Sequence, residues 1–178
     1  MKRKLILKNK FIPVNVPKIF KQEKIYLKKC IDTGWISSEG EYVKRFEKTF
    51  SKYNKRIYGV AVSSGTAALD IAIKSLNLKR GDEVIIPTFS IISTALCVIK
   101  LGLKPVLVDS NLKNWNMDAE QIIKKINNKT KAIVITHIYG FPVDMKKILE
   151  VAKKREIRII EDAAEMIGQT YFGKKCGS

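Results

Sequence analysis

The sequence predicts an α/β protein built around a mostly parallel sheet, and three observations carry that prediction. Short β-branched apolar runs recur from residue 57 onward, each followed by a turn and then by a segment with helical spacing of its apolar residues. The runs are nearly continuous in Val and Ile, the pattern of strands covered by helices on both faces. Hydrophobic residues make up 46% and charged residues 29% of the 178, a globular balance with enough chain to bury a core.

The first 55 residues lie outside that rhythm. FKQEKIYLKKCIDTG (20–34) and EYVKRFEKTFSKY (41–53) read as two amphipathic helices separated by the Gly- and Ser-containing loop GWISSEG (34–40). The expected division is therefore a helical segment over 1–55 and an α/β body over 56–178. In the body the strand candidates are IYGVAVS (57–63), EVIIP (83–87), KPVLVD (104–109), KAIVITH (131–137) and IRIIED (157–162). Helices are expected near 66–76, 91–101, 117–127 and 144–154, and right-handed crossovers follow from parallel pairing. Arg80-Gly81-Asp82 and Leu101-Gly102-Leu103 are turns leading into strands, and Asp118 is placed to cap a helix beginning at Ala119. YFGKKCGS (171–178) reads as a hairpin that stops in mid-turn.

Composition narrows the function classes. No apolar run is long enough to cross a bilayer, and lysines and an asparagine interrupt the apolar part of the basic start MKRKLILKNK, so a cytoplasmic protein without a signal peptide is expected. Cys30, Cys97 and Cys176 lie far apart with no CxxC pair, which argues against a zinc site or a disulfide framework; no metal is expected. The formal charge of +17 comes from 34 basic residues scattered along the chain. It suits a negatively charged small substrate, and without a binding motif or interleaved aromatics it does not point to nucleic acid.

Ligands of open α/β sheets sit beyond the carboxyl ends of the strands, so those positions carry the functional candidates. Ser63-Ser64-Gly65-Thr66-Ala67-Ala68 puts hydroxyls and free backbone N–H groups at a helix start, which suits a phosphate and equally suits a plain Ser/Thr cap. Asp162 ends a very apolar strand, where a buried charge needs a cation or donors; a protonated pyridine nitrogen would serve, and so would a helix-capping role. His137, the only histidine, follows a strand, a place where structural histidines outnumber catalytic ones. Phe89, in IPTFS, lines a pocket or fills the core.

In their order and spacing, SSGTAAL, GDEVIIPTFS, GLKPVLVDS, THIYGFPVDM and IIEDAAEMIGQTYFGKKCGS resemble the DegT/StrS family of pyridoxal-phosphate (PLP) nucleotide-sugar aminotransferases. Upstream, DTGWISSEGEYVKRFEKTF resembles that family's N-terminal Trp- and Ser-containing segment and the helix after it, so the likeness covers nearly the whole chain from about residue 12. The resemblance implies a fold-type I large domain and PLP as cofactor. Ser64, Gly65 and Thr66 match the phosphate-binding turn, Asp162 the aspartate that keeps the ring nitrogen protonated, Ala164 the small residue on one ring face, and Glu165 the position that contacts the ring's phenolic oxygen. Ile91 stands where relatives place an aromatic over the ring; isoleucine packs there but cannot stack. Trp35, Ser37 and His137 fall at substrate-side positions.

Glu165, WISSEG and HIYGFPVDM bring the chain nearest to the perosamine-synthase-like members. They imply glutamate as amino donor, a GDP-linked 4-keto-6-deoxy sugar as acceptor, surface-polysaccharide synthesis such as lipopolysaccharide O-antigen as setting, and a homodimer. The Schiff-base lysine of relatives follows shortly after the stretch matched by Gly177-Ser178, and no lysine here matches it. The expectations are accordingly an incomplete large domain with the small C-terminal domain absent, and a chain inactive by itself. The alternatives are a non-catalytic remnant, a half-subunit completed by a second chain, or a dehydratase of the same family in which histidine replaces the lysine.

Overall fold

The computed structural model describes residues 11–13 and 16–178, so the basic start at 1–10 lies outside the described residues. The chain divides into two units, Met1–Arg45 and Phe46–Ser178. In the first, helix α1 (Lys21–Asp32) begins where the Phe20 N–H donates to Glu23 Oε2 at 3.0 Å, and closes where the Thr33 hydroxyl donates to the Lys29 carbonyl at 2.7 Å. Helix α2 (Glu41–Tyr53) starts after Gly40 and crosses the boundary between the units. That boundary falls upstream of the 55/56 division expected from composition. The second half of α2 belongs with the α/β body because Glu47 accepts a hydrogen bond from the Ala61 N–H at 2.8 Å.

The body follows as α3 (Gly65–Ser75), β1 (Glu83–Pro87), α4 (Ser93–Lys100), β2 (Lys104–Val108), α5 (Ala119–Lys125), β3 (Thr130–Thr136), α6 (Met145–Lys154) and β4 (Arg158–Asp162). A short antiparallel hairpin of β5 (Thr170–Tyr171) and β6 (Lys174–Lys175) comes last. The sheet is parallel throughout in the order β2-β1-β3-β4. Alternation sends Ile85, Ile133 and Ile135 to one face, against Ile122 of α5 and Ile148 of α6, and Val84, Ile86, Ala132 and Val134 to the other, against Ile73 of α3 and Val98 of α4. Each Ile or Val among them, fully buried, contributes about 1.5–3 kcal/mol. Asp118 caps α5 as its spacing predicts, accepting from the N–H groups of Glu120 and Gln121 at 2.8 and 3.1 Å. Gly102, at φ +71°, lets the chain leave α4 and turn directly into β2.

One expected strand is not formed. Residues 57–63 carry no strand ladder, and Ile57, Tyr58 and Val60 are 85%, 84% and 74% exposed. A strand exists by pairing, and among the described residues no strand lies alongside this segment.

Candidate functional site

The sheet order fixes where a ligand belongs. From β1 the chain runs outward to β2 and then returns past β1 to form β3, so the strand order reverses between β1 and β3. A crevice opens at such a switch point, beyond the carboxyl ends of the strands. Here it is a cavity of about 340 Å³ lined by Phe89, Ser90 and Ile91 after β1, by Thr136–Tyr139 at the end of β3, by Asp162 closing β4, and by Ala164 and Glu165 beyond it. A second cavity of about 590 Å³ shares Ile91, Asp162 and Ala164 with the first and extends over Ser64, Gly65 and Thr66 at the start of α3.

The α3 end is built from local geometry. Ser64 is extended (φ −162°, ψ 163°), and its hydroxyl accepts from the Ala67 N–H at 3.2 Å. The Thr66 hydroxyl shares a hydrogen bond with Ser93 at 2.8 Å, and no atom lies within 4 Å of where a Cβ on Gly65 would stand. Helix dipole, hydroxyls and open backbone are the features that favour an anion at a helix start.

Across the crevice, Asp162 Oδ1 accepts from the Ala164 N–H at 3.2 Å, and no basic side chain pairs with Asp162 among the described residues. Tyr139 takes the left-handed conformation (φ 47°), which aims its N–H at Glu165 Oε2, 2.6 Å away. The carboxylate of Glu165 is thereby held at the cavity edge. Ile91 is 64% exposed in the wall shared by both cavities, and Phe89 leans on Trp115 with ring centroids 6.0 Å apart, partly exposed instead of filling the core.

Behind this wall lies a hydrogen-bond network that sequence reasoning did not foresee. The Val143 N–H donates to His137 Nδ1 at 3.0 Å, so the ring carries its proton on Nε2, which donates to Glu161 Oε1 at 2.8 Å. Glu161 also accepts from the Gly177 N–H at 2.6 Å. Burial raises the Glu161 carboxyl, but the donors from His137 and Gly177 outweigh it and hold the group below its ordinary value of 4.5. Burial pushes the nearby Cys176 thiol up, which keeps it protonated and inert. His137, Glu161 and Cys176 are the one group of potential metal ligands among the described residues. Protein hydrogen bonds already occupy both ring nitrogens and the facing carboxylate oxygen, so the cluster offers a cation little.

His137, expected at a substrate-side position, lines the switch-point cavity with its ring turned into the protein. The residue is 1% exposed and both nitrogens are engaged within the protein, leaving none for a ligand. Ser64, Gly65, Thr66, Ile91, Asp162, Ala164 and Glu165 are gathered around the two contiguous cavities. Trp35 and Ser37 belong to the first unit, where both are exposed in the wall of a separate hollow of about 820 Å³. Sequence reasoning passed over the hydroxyls of Ser90 and Thr136; a polar residue closing the Ala-Ile-Val-Ile run of β3 was the signal available.

A parallel sheet whose switch-point crevice sets a helix N-terminus opposite a strand-end aspartate has the architecture of the fold-type I PLP-dependent transferases. The chain belongs to the DegT/DnrJ/EryC1/StrS aminotransferase family, whose model matches residues 17–178. It is 44% identical over 169 residues to the GDP-perosamine synthase of Escherichia coli O157:H7, a match covering 95% of this chain and 46% of that relative. It is 37% identical over 152 residues to dTDP-3-amino-3,6-dideoxy-alpha-D-galactopyranose transaminase of Aneurinibacillus thermoaerophilus, covering 85% and 42%. Among solved structures, GDP-4-keto-6-deoxymannose-3-dehydratase superposes with a TM-score of 0.87 at 30% identity over 93% of this chain and 44% of that one. It has been seen with bound hydrated PLP, in the E. coli enzyme, and with a trapped PLP-glutamate geminal diamine. The chain thus spans about half the length of the curated relatives it matches. PLP is the cofactor that family membership brings to this fold. Among the described residues no helix is long and apolar enough to cross a membrane.

Proposed function

We propose that this chain forms the cofactor-holding part of an aminotransferase that passes an amino group from glutamate to the keto carbon of a GDP-linked 4-keto-6-deoxy sugar. The observation that carries the proposal is the gathering of Ser64–Thr66, Ile91, Asp162, Ala164 and Glu165 around two cavities that share a wall. The identity to GDP-perosamine synthases supports the sugar, and the glutamate found joined to PLP in a dehydratase relative supports the donor. Action as a cytoplasmic homodimer in polysaccharide synthesis belongs to the same proposal.

The residues fit PLP. Asp162 lacks a basic partner among the described residues, so a protonated ring nitrogen gives it the counter-charge that a strand-end carboxylate needs. The start of α3, with the Ser64 and Thr66 hydroxyls, takes the phosphate. Ala164 would leave room for a flat ring, Ile91 would pack against it, and Glu165, braced by the Tyr139 N–H, would be the group nearest the ring's oxygen. When bound, PLP supplies the electron sink for deprotonation of the carbon bearing the amine. The protein's part is to keep the ring nitrogen protonated through Asp162 and to fix the ring between Ile91 and Ala164.

The test is titration of the chain with pyridoxamine 5′-phosphate, whose amine cannot condense with the many lysines. Wild type binds, and Asp162→Ala weakens binding at least tenfold, as expected for removal of a charge-assisted contact. A wild-type chain that leaves the probe's fluorescence and calorimetric baseline unchanged refutes the reading.

A further inference from the structure

The switch-point cavity holds a feature that packing of the fold does not account for. Thr136, the last residue of β3, is 7% exposed, and its buried Oγ1 has no hydrogen-bond partner; the buried Oγ of Ser90, three residues past β1, has none either. Both residues line the cavity of about 340 Å³. The other unpartnered buried side-chain oxygens among the described residues, on Asp70 and Thr94, lie on α3 and α4 and line neither this cavity nor the one beside it. A buried hydroxyl without a partner opposes folding, and valine has nearly the same shape without that cost. β3 is otherwise Ala-Ile-Val-Ile at this depth, so packing alone has no use for the oxygen. In the sheet register Thr136 stands directly beside Asp162.

We propose that Ser90 and Thr136 are ligand-contact residues whose hydroxyls complete their hydrogen bonding on the polar edge of the ring held against Asp162. They determine specificity for a ring that carries hydrogen-bonding substituents over a bare one. The inference rests on the cofactor reading above and extends it to two residues with no role in it. The hydroxyls are carried by two different strand ends, so the ligand itself spans the crevice between β1 and β3.

The experiment compares wild type, Thr136→Val, Thr136→Ser and Ser90→Ala in two measurements: pyridoxamine 5′-phosphate affinity, and melting temperature without ligand. Thr136→Val and Ser90→Ala each weaken binding about 5–10-fold, the value of one neutral hydrogen bond. Thr136→Ser, which keeps the hydroxyl, stays within about twofold of wild type. Without ligand, Thr136→Val melts about 2–4 °C higher, because the unsatisfied oxygen is gone. A merely structural hydroxyl would give the opposite sign, so a lower unliganded melting temperature in Thr136→Val overturns the inference. Unchanged affinity in both Thr136→Val and Ser90→Ala overturns it as well, while leaving the cofactor reading intact. A wild-type chain that does not bind the probe overturns the cofactor reading first and this inference with it.

Discussion

Residues 57–62 and 83–87 are two apolar runs of similar composition with opposite fates. EVIIP becomes β1, buried along its whole length, paired on both sides and covered by helices on both faces. IYGVAV forms no strand and is largely exposed, and its described anchor is the Ala61 N–H on Glu47. The contrast teaches that β-branched composition reports suitability for a strand, whereas the ladder is supplied by neighbours distant in sequence.

The largest expected effect tests the buried member. Ile85→Ala empties a position packed between Ile133 and the helices of one face and costs about 2–5 kcal/mol in chemical denaturation. A smaller effect comes from the far edge of the sheet, where β4 carries Glu161. Glu161→Gln weakens the ties to His137 and Gly177 and costs about 1–2 kcal/mol near neutral pH. Because the folded carboxyl is held below its ordinary value of 4.5, its stabilisation is fully present above that value and is lost as pH falls through the lower, folded one. Denaturation midpoints of wild type and Glu161→Gln therefore converge in acid; a constant gap down to pH 3 would exclude a stabilising role for the Glu161 carboxylate. The smallest effect belongs to the exposed run: Ile57→Ser changes stability by no more than about 0.5 kcal/mol. A cost near that of Ile85→Ala would show that residues 57–62 are buried in solution and would erase the contrast.

The same contrast explains what was legible in the sequence. The runs that became β1, β2, β3 and β4 could be read because each is short, β-branched and followed by turn residues, and the capping role of Asp118 because its carboxylate acts on N–H groups two and three residues ahead. The gathering of Ser64, Asp162 and Glu165 could be anticipated because strand ends converge in any sheet of this order. The hydrogen bonds of His137 were not legible because its two partners, Val143 and Glu161, lie six and 24 residues away and only the folded chain brings them to opposite ring nitrogens. The unpaired oxygens of Ser90 and Thr136 were invisible for the converse reason: lacking a partner is a property of the surroundings. The boundary inside α2 was not legible because that helix looks uniform in sequence, while its second half alone is held by Ala61.

The closing hairpin carries a consequence in chain entropy. Arg56 Nε donates to the Gly177 carbonyl and Lys175 Nζ to the Tyr53 carbonyl, contacts that span 121 and 122 residues of sequence. Each sheet step from β1 to β4 closes a far shorter loop through its own helix. Loop-closure cost rises with the logarithm of length, so once the sheet stands it has already drawn those distant ends together and most of the long closure is complete. The hairpin therefore needs only weak, partly exposed bonds to stay docked, and the wall behind Asp162 is fastened by contacts that would be too feeble to form before the sheet.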